Sequence, residues 1–208
     1  RVKDFLERYS RSEVPGIQYV VVNANELIFQ FSGGLADIDD KKPMTAQITM
    51  HGYSITKTFT AVAILQLLER GKLKLDDKLI TYLPKVPYGN EITIRQLINH
   101  TSGIPNPIPL RWVHLASKHK EFNEQATLDR ILKDNSDISF EPGEKYSYSN
   151  IGYWLLGKII ESITQQTYSE YVQINIIKPM GLNLNDIDFF IHDFSNHAKG
   201  YLAKYSFI

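Results

Sequence analysis

The chain has 208 residues, 43% apolar and 22% charged, the balance of a soluble globular protein with room for one sizeable core or two small ones. Lys plus Arg and Asp plus Glu are equal at 23 each, so the formal charge is zero and the basic balance of a nucleic-acid binder is missing. Cysteine is absent, which excludes disulfides, thiol catalysis and Cys-ligated zinc, and no apolar run is long enough to span a bilayer. The chain opens at Arg1 without a methionine, as expected of a trimmed or matured product.

Val2, Phe5, Leu6 and Tyr9 recur at helical spacing and predict an amphipathic helix over residues 2–10, broken by Pro15-Gly16. Two β-rich runs, residues 17–22 and 26–31, flank Asn23-Ala24-Asn25 and read as a hairpin. Gly33-Gly34 ends it, and a polar loop is expected to about Thr45. Residues 54–69 predict a helix that is apolar on most faces, hence central and buried, with Gly71 at its C-terminal cap. Shorter helices are expected over 93–100 and over 127–133, the latter capped by Thr127. After a turn at Glu141-Pro142-Gly143-Glu144, helices are expected over 151–163 and 169–177, the last ended by Pro179-Met180-Gly181. No repeat, low-complexity tract or linker interrupts the chain. The middle is therefore helical and the clear strands lie near the N-terminus.

Ser54-Ile55-Thr56-Lys57 opens the long apolar helix. Spacing of three puts both side chains on one helical face, within reach of each other. A serine hydroxyl is a weak nucleophile until a base takes its proton, and a lysine can do so only with a lowered pKa, from burial or a nearby positive potential. The helix N-terminus adds free N–H groups and a dipole that favour developing negative charge. Lys57 is also the one formally charged residue between Lys42 and Glu69, and an unpaired charge in an apolar helix is costly. The competing readings are Ser54 as an ordinary N-cap and Lys57 as a snorkelling surface lysine. A second element, Tyr146-Ser147-Tyr148-Ser149-Asn150, lies on a loop feeding a helix, where a phenol and an amide two residues apart can face one site. Its competing reading is a strand end with Asn150 as N-cap.

Ser54-Ile55-Thr56-Lys57-Thr58-Phe59-Thr60-Ala61 resembles the nucleophile motif of the serine β-lactamase and penicillin-binding protein superfamily. Leu97-Ile98-Asn99-His100-Thr101-Ser102-Gly103-Ile104-Pro105 is similar to a stretch of its class C β-lactamase branch. Tyr148-Ser149-Asn150-Ile151-Gly152-Tyr153, following Pro142-Gly143, resembles the Tyr-x-Asn motif of that branch, and Leu73 to Pro84, with Leu75-Asp76-Asp77, also fits. The resemblance runs in order from about residue 13 to 202. It implies an α+β fold of the β-lactamase/transpeptidase type. Residues 1–50 would form the N-terminal helix and hairpin of the α/β part, residues 51–185 a mainly helical subdomain, and residues 186–208 an incomplete return to the α/β part. It implies that Ser54 is acylated by a lactam, amide or ester carbonyl, that Lys57 deprotonates it, and that Tyr148 relays a proton with its own pKa perturbed by Lys57. Asn150 would hydrogen-bond the substrate's amide, and the Ser54 N–H would be one oxyanion donor. No cofactor or metal is implied. The expected substrate is a small molecule or a peptidoglycan-like one, met in the periplasm, cell envelope or exterior of a bacterium.

The family's third motif, Lys/His-x-Gly, is not found, and His197-Ala198-Lys199-Gly200-Tyr201 is a poor candidate for it. That motif supplies the second oxyanion N–H, and a missing donor costs about 10²–10³ in turnover. The chain is therefore expected to be a fragment, to be completed by a further C-terminal segment or a partner chain, or to be a truncated homologue that binds penicillin or peptidoglycan without turnover. An α/β-hydrolase elbow is disfavoured because Gly52-Tyr53-Ser54-Ile55-Thr56 lacks the second glycine. Two histidine pairs, His114 with His119 and His192 with His197, are five residues apart and do not suit a helical metal site. His100 is expected to be structural, bonding near a helix end. Asn99-His100-Thr101 is a formal glycosylation sequon, expected to stay unmodified. The loop over 107–122 carries Arg111, Trp112 and His114 as pocket-lining or capping candidates.

Overall fold

The computed structural model describes residues 1–10, 14–108, 114 and 116–201. Arg111 and Trp112 of the candidate loop lie outside these residues. The chain divides into two compact units, one of residues 1–53 with 184–208 and one of residues 54–183.

In the first unit, helix α1 (Val2–Tyr9) buries only Leu6. Strands β1 (Ile17–Val22) and β2 (Leu27–Gly33) pair antiparallel, with Ile17 opposite Gly33 and Val20 opposite Gln30. The expected hairpin is present. Its turn is tightened by the Asn23 side chain, which accepts the N–H groups of Asn25 and Glu26 at 2.8 and 2.9 Å. The Asx turn carries the reversal that glycine often provides. The expected polar loop after Gly34 instead contains a second small hairpin, β3 (Leu35–Asp37) with β4 (Lys42–Pro43). Strands of three and two residues are too short for an alternating pattern to show. Ala36, Met44 and Ile48 form a small core against which Ala198 packs. His197-Ala198-Lys199 adds an extended edge: Thr49 bridges His197, the Ala198 N–H donates to the Thr49 carbonyl at 2.9 Å, and the Lys199 N–H to the Ala36 carbonyl at 2.9 Å.

The second unit is helical: α2 (Thr56–Glu69), α3 (Leu79–Tyr82), α4 (Ile94–Ile98), α5 (Glu124–Asp134), α6 (Asn150–Thr164) and α7 (Tyr168–Val172). Helix α6 is its centre. It packs on α2, α3, α4 and α7, and Ile151, Leu155, Leu156, Ile159 and Ile160 are fully buried. At about 25 cal/mol per Å² of apolar area removed from water, such a run dominates the stability of the unit. Helix α2 differs from the expectation of burial all round. Thr60, Ala63, Ile64 and Leu67 are buried, while Val62 and Leu65 remain 42% and 44% exposed. Only one side of α2 faces α6 and α7. Gly71, at φ +65°, follows the C-cap Arg70 as expected.

Several helix starts are set by caps the periodicity does not reveal. α4 begins at a capping box, with Thr93 and Gln96 satisfying each other's backbone N–H groups. α5 starts three residues before the expected Thr127, because Asn123 accepts the Ala126 N–H at 2.9 Å and Glu124-Gln125-Ala126 are good helix formers. α7 continues as a π-helical turn over Gln173–Ile177 and a 3-10 turn over Lys178–Met180, ended by Gly181 at φ +76°.

Candidate active site

Ser54 lies in a 3-10 turn, Tyr53–Ile55, that runs directly into α2. Its side chain makes no capping bond to α2, whose N-cap is Ile55, so the ordinary N-cap reading does not apply. Tyr53, just before it, has φ +41°, an unusual conformation for a bulky residue and a local strain at the entry to the helix.

Lys57 sits one turn on and is half-buried. Its Nζ donates to Asn150 Oδ1 at 2.8 Å and reaches Ser54 Oγ at 3.5 Å. The Ser54 Oγ is much closer to the Tyr148 hydroxyl, 2.7 Å away. The Lys57 ammonium also lies 4.8 Å from the centre of the Tyr148 ring and 5.6 Å from that of Tyr153. The four residues singled out by sequence, Ser54, Lys57, Tyr148 and Asn150, therefore form one connected network.

Burial pushes the Tyr148 phenol up, but bonding with Lys57 and Ser54 and the lysine charge outweigh it, leaving the phenol below its ordinary pKa. A phenol held acidic beside a serine hydroxyl is equipped to accept and return a proton.

Asn150 can turn its side chain to Lys57 because another residue caps α6. Ser149 Oγ accepts the Gly152 N–H at 3.1 Å. The competing reading of Asn150 as N-cap is thus replaced by Ser149. Asn150 becomes the first helical residue, with its amide turned to Lys57.

The loop carrying Tyr148 is laced to the segment 98–106. The Ser147 N–H donates to the His100 carbonyl at 2.8 Å, the Ser149 N–H to His100 Nδ1 at 3.1 Å, and Ser149 Oγ to the Pro105 carbonyl at 3.1 Å. Tyr153 Oη donates to the Ile98 carbonyl at 2.8 Å. Gly103 lets the two segments approach: it has φ +78°, and a Cβ there would lie 2.2 Å from the Phe140 carbonyl oxygen. His100 has φ +60°, a conformation that histidine adopts more readily than most residues. Its ring lies 4.5 Å from that of Tyr148 and 4.9 Å from that of Tyr153, centre to centre.

His100 is nearly buried, and its Nδ1 can accept the Ser149 N–H only while the ring is neutral. Burial first, and the Lys57 charge second, hold its pKa below the ordinary 6.5. The folded chain thus binds this proton less readily than the unfolded chain. The stability that neutral His100 contributes is complete above about pH 6.5 and is lost as pH falls toward the lower folded value. Asparagine tolerates the backbone conformation and does not titrate. His100→Asn is therefore expected to flatten the fall in urea midpoint between pH 7.5 and 5. Equal slopes in variant and parent would refute this.

Other sequence candidates fall elsewhere. Lys199 pairs with Asp37 at 2.7 Å and lowers its pKa against the opposing effect of burial, a structural role within the first unit. His197 Nδ1 bonds the Thr49 hydroxyl at 2.9 Å. His114 and His119, whose spacing of five does not suit a helical metal site, stack ring on ring at 5.3 Å, with His119 in the 3-10 turn Ala116–Glu121. Among the described residues no group of three or more His, Cys, Asp or Glu is placed to hold a metal ion, and no helix is long and apolar enough to cross a membrane. Sequence reasoning missed Asn106, whose Oδ1 accepts both the backbone N–H and the Nδ2 of Asn150 at 3.0 Å. Its only signal was its place three residues after Gly103.

Two small antiparallel hairpins in one unit, and a helical unit carrying such a network, belong to the β-lactamase/transpeptidase fold. The family model described as Beta-lactamase matches residues 2–202, and the chain belongs to that family. It is 34% identical over 164 residues to penicillin-binding protein 4* of Bacillus subtilis (strain 168), covering 79% of this chain and 36% of that relative. The chain thus spans about a third of that relative's length. It matches the crystal structure of D-amino acid amidase from Ochrobactrum anthropi SV3 in complex with D-phenylalanine at TM-score 0.75 and 26% identity, covering 94% of this chain and 54% of that one. The octameric penicillin-binding protein homologue from Pyrococcus abyssi matches at TM-score 0.71 and 29% identity, covering 97% of this chain and 47% of that one.

Proposed function

We propose that these residues belong to a serine hydrolase that works through an acyl-enzyme on Ser54. The observation that carries the reading is the 2.7 Å contact between Ser54 Oγ and the Tyr148 hydroxyl, with Lys57 joining Ser54 to Asn150. Ser54 Oγ attacks the carbonyl of a lactam, a D-amino-acid amide or an ester. Its proton passes to the Tyr148–Lys57 pair. Tyr148 is the nearer acceptor, and the Lys57 charge keeps its phenol acidic. The expected direct base, Lys57, stands 0.8 Å farther from Ser54 Oγ (3.5 against 2.7 Å). The carbonyl oxygen becomes an oxyanion, met in part by the Ser54 N–H at the start of α2. The C–N or C–O bond then breaks, and the pair returns the proton to the leaving group. Water attacks the ester in the reverse sense. Asn150 orients the substrate's amide through its Nδ2.

Resemblance to a penicillin-binding protein and to a D-amino acid amidase supports a substrate that presents a D-configured or strained amide, of the peptidoglycan-like kind met in a bacterial envelope. The reading is tested by intact-mass analysis of the whole protein after exposure to benzylpenicillin. A covalent adduct mapping to Ser54, stable or turning over, is the expected result. No adduct on Ser54, together with no hydrolysis of lactam, ester or D-amino-acid amide, would overturn it.

A further inference from the structure

We infer that Asn106 is a positioning residue that locks the amide of Asn150 in the one orientation the proton-transfer network can use. The inference rests on the acyl-enzyme reading of Ser54. Asn106 lies on the segment after His100, 44 residues before Asn150 in sequence, and its side chain is exposed. A single atom, Asn106 Oδ1, accepts two bonds of 3.0 Å, one from the Asn150 N–H and one from Asn150 Nδ2. The first satisfies a donor left orphaned at the start of α6. The second fixes which end of the Asn150 amide faces which neighbour.

With Nδ2 turned to Asn106, Oδ1 must face Lys57, where it accepts from Nζ at 2.8 Å. A flipped amide would put its NH₂ against the lysine donors and its oxygen against Asn106 Oδ1, losing both bonds and adding two repulsive contacts. Lys57 and Asn106 therefore hold the amide from its two ends, and the Asn106 bond does not depend on where the proton of the Tyr148–Lys57 pair resides. Nδ2 carries two hydrogens, one held by Asn106, and the locked orientation leaves the other for a substrate carbonyl. Because the locked Oδ1 also holds the lysine of the proton-transfer pair, the effect of Asn106 falls on the acylation step more than on noncovalent binding.

The test compares Asn106→Leu, which has a similar volume but no acceptor, with Asn106→Asp, which keeps an oxygen facing both Asn150 donors. Saturation kinetics of Ser54 acylation by benzylpenicillin in the whole protein separate the acylation rate constant from the noncovalent dissociation constant. Misplacing a reacting assembly by about 1 Å costs about 10²-fold in rate. Asn106→Leu is expected to lower the acylation rate constant by about 10- to 100-fold, with the dissociation constant moving less, and Asn106→Asp to recover most of that loss. In amide NMR spectra, the two Nδ2 protons of Asn150 are expected to be inequivalent and exchange-protected in the parent and to lose protection in Asn106→Leu. A role confined to capping α6 would lower the melting temperature while leaving the acylation constant and its ratio to binding unchanged, and that result overturns the inference. So does equal loss in both variants. The NMR readout needs no turnover, so unprotected Asn150 protons in the parent would sink the lock even where Ser54 acylates normally. Absence of acylation in the parent with the protons protected would instead sink the acyl-enzyme reading.

Discussion

Ser54→Ala is expected to abolish covalent adduct formation and to lower hydrolysis by about 10⁴- to 10⁶-fold in the whole protein, the range seen when a nucleophile or its partner is removed from a unit that acts together. The fold is expected to survive. Ser54 is exposed, its Oγ makes no capping bond to α2, and its one short contact is with Tyr148, which water can satisfy in the variant. Surface changes of this kind usually alter stability by about 0.5 kcal/mol or less. Paired measurement of the urea midpoint and of chromogenic ester or lactam hydrolysis therefore separates chemistry from folding. An unchanged midpoint with lost activity supports the nucleophile. Unchanged hydrolysis would remove the mechanism altogether.

Tyr148→Phe is expected to lower the acylation rate by about 10²- to 10⁴-fold, the usual contribution of a positioned acid–base group. The substitution keeps the ring, and with it the contact with the His100 ring and the lysine contact to the ring face. It removes only the oxygen that lies 2.7 Å from Ser54. The pH profile is the more specific readout. The Tyr148 pKa lies below the ordinary 10, so the phenolate fraction at any pH below that value exceeds that of a free tyrosine. In the parent, the acylation rate is expected to climb as pH rises toward this lowered value and then level off. That limb belongs to the Tyr148–Lys57 pair as a coupled unit rather than to either residue. In Tyr148→Phe it is expected to vanish. A variant that retained both the rate and the limb would assign the proton transfer to Lys57 alone.

The first half of the candidate site was legible in the chain because it is local. A spacing of three on a helical turn brings Ser54 and Lys57 together whatever the rest of the fold does. The long apolar stretch of α6 was equally legible, since its buried residues follow the helical period over 15 residues. The small hairpin of β3 and β4 was hidden by its length. The start of α5 was misjudged because two residues, Asn123 and Thr127, can each cap, and the choice depends on which side chain reaches an N–H.

Local sequence thus sufficed for the Ser54–Lys57 pair, the long apolar helices and the N-terminal hairpin. Completing the candidate site took packing between segments far apart in the chain. Tyr148 lies 94 residues from Ser54, and Asn150 lies 93 from Lys57. Such contacts pay a loop-closure entropy that no local spacing can offset. They form because α6 packs on α2 and α4, and because His100 and Asn106 hold the residues at its entrance. The same packing gave Ser149 the cap and freed Asn150 for Lys57, an outcome of competition among neighbouring side chains for the same N–H groups.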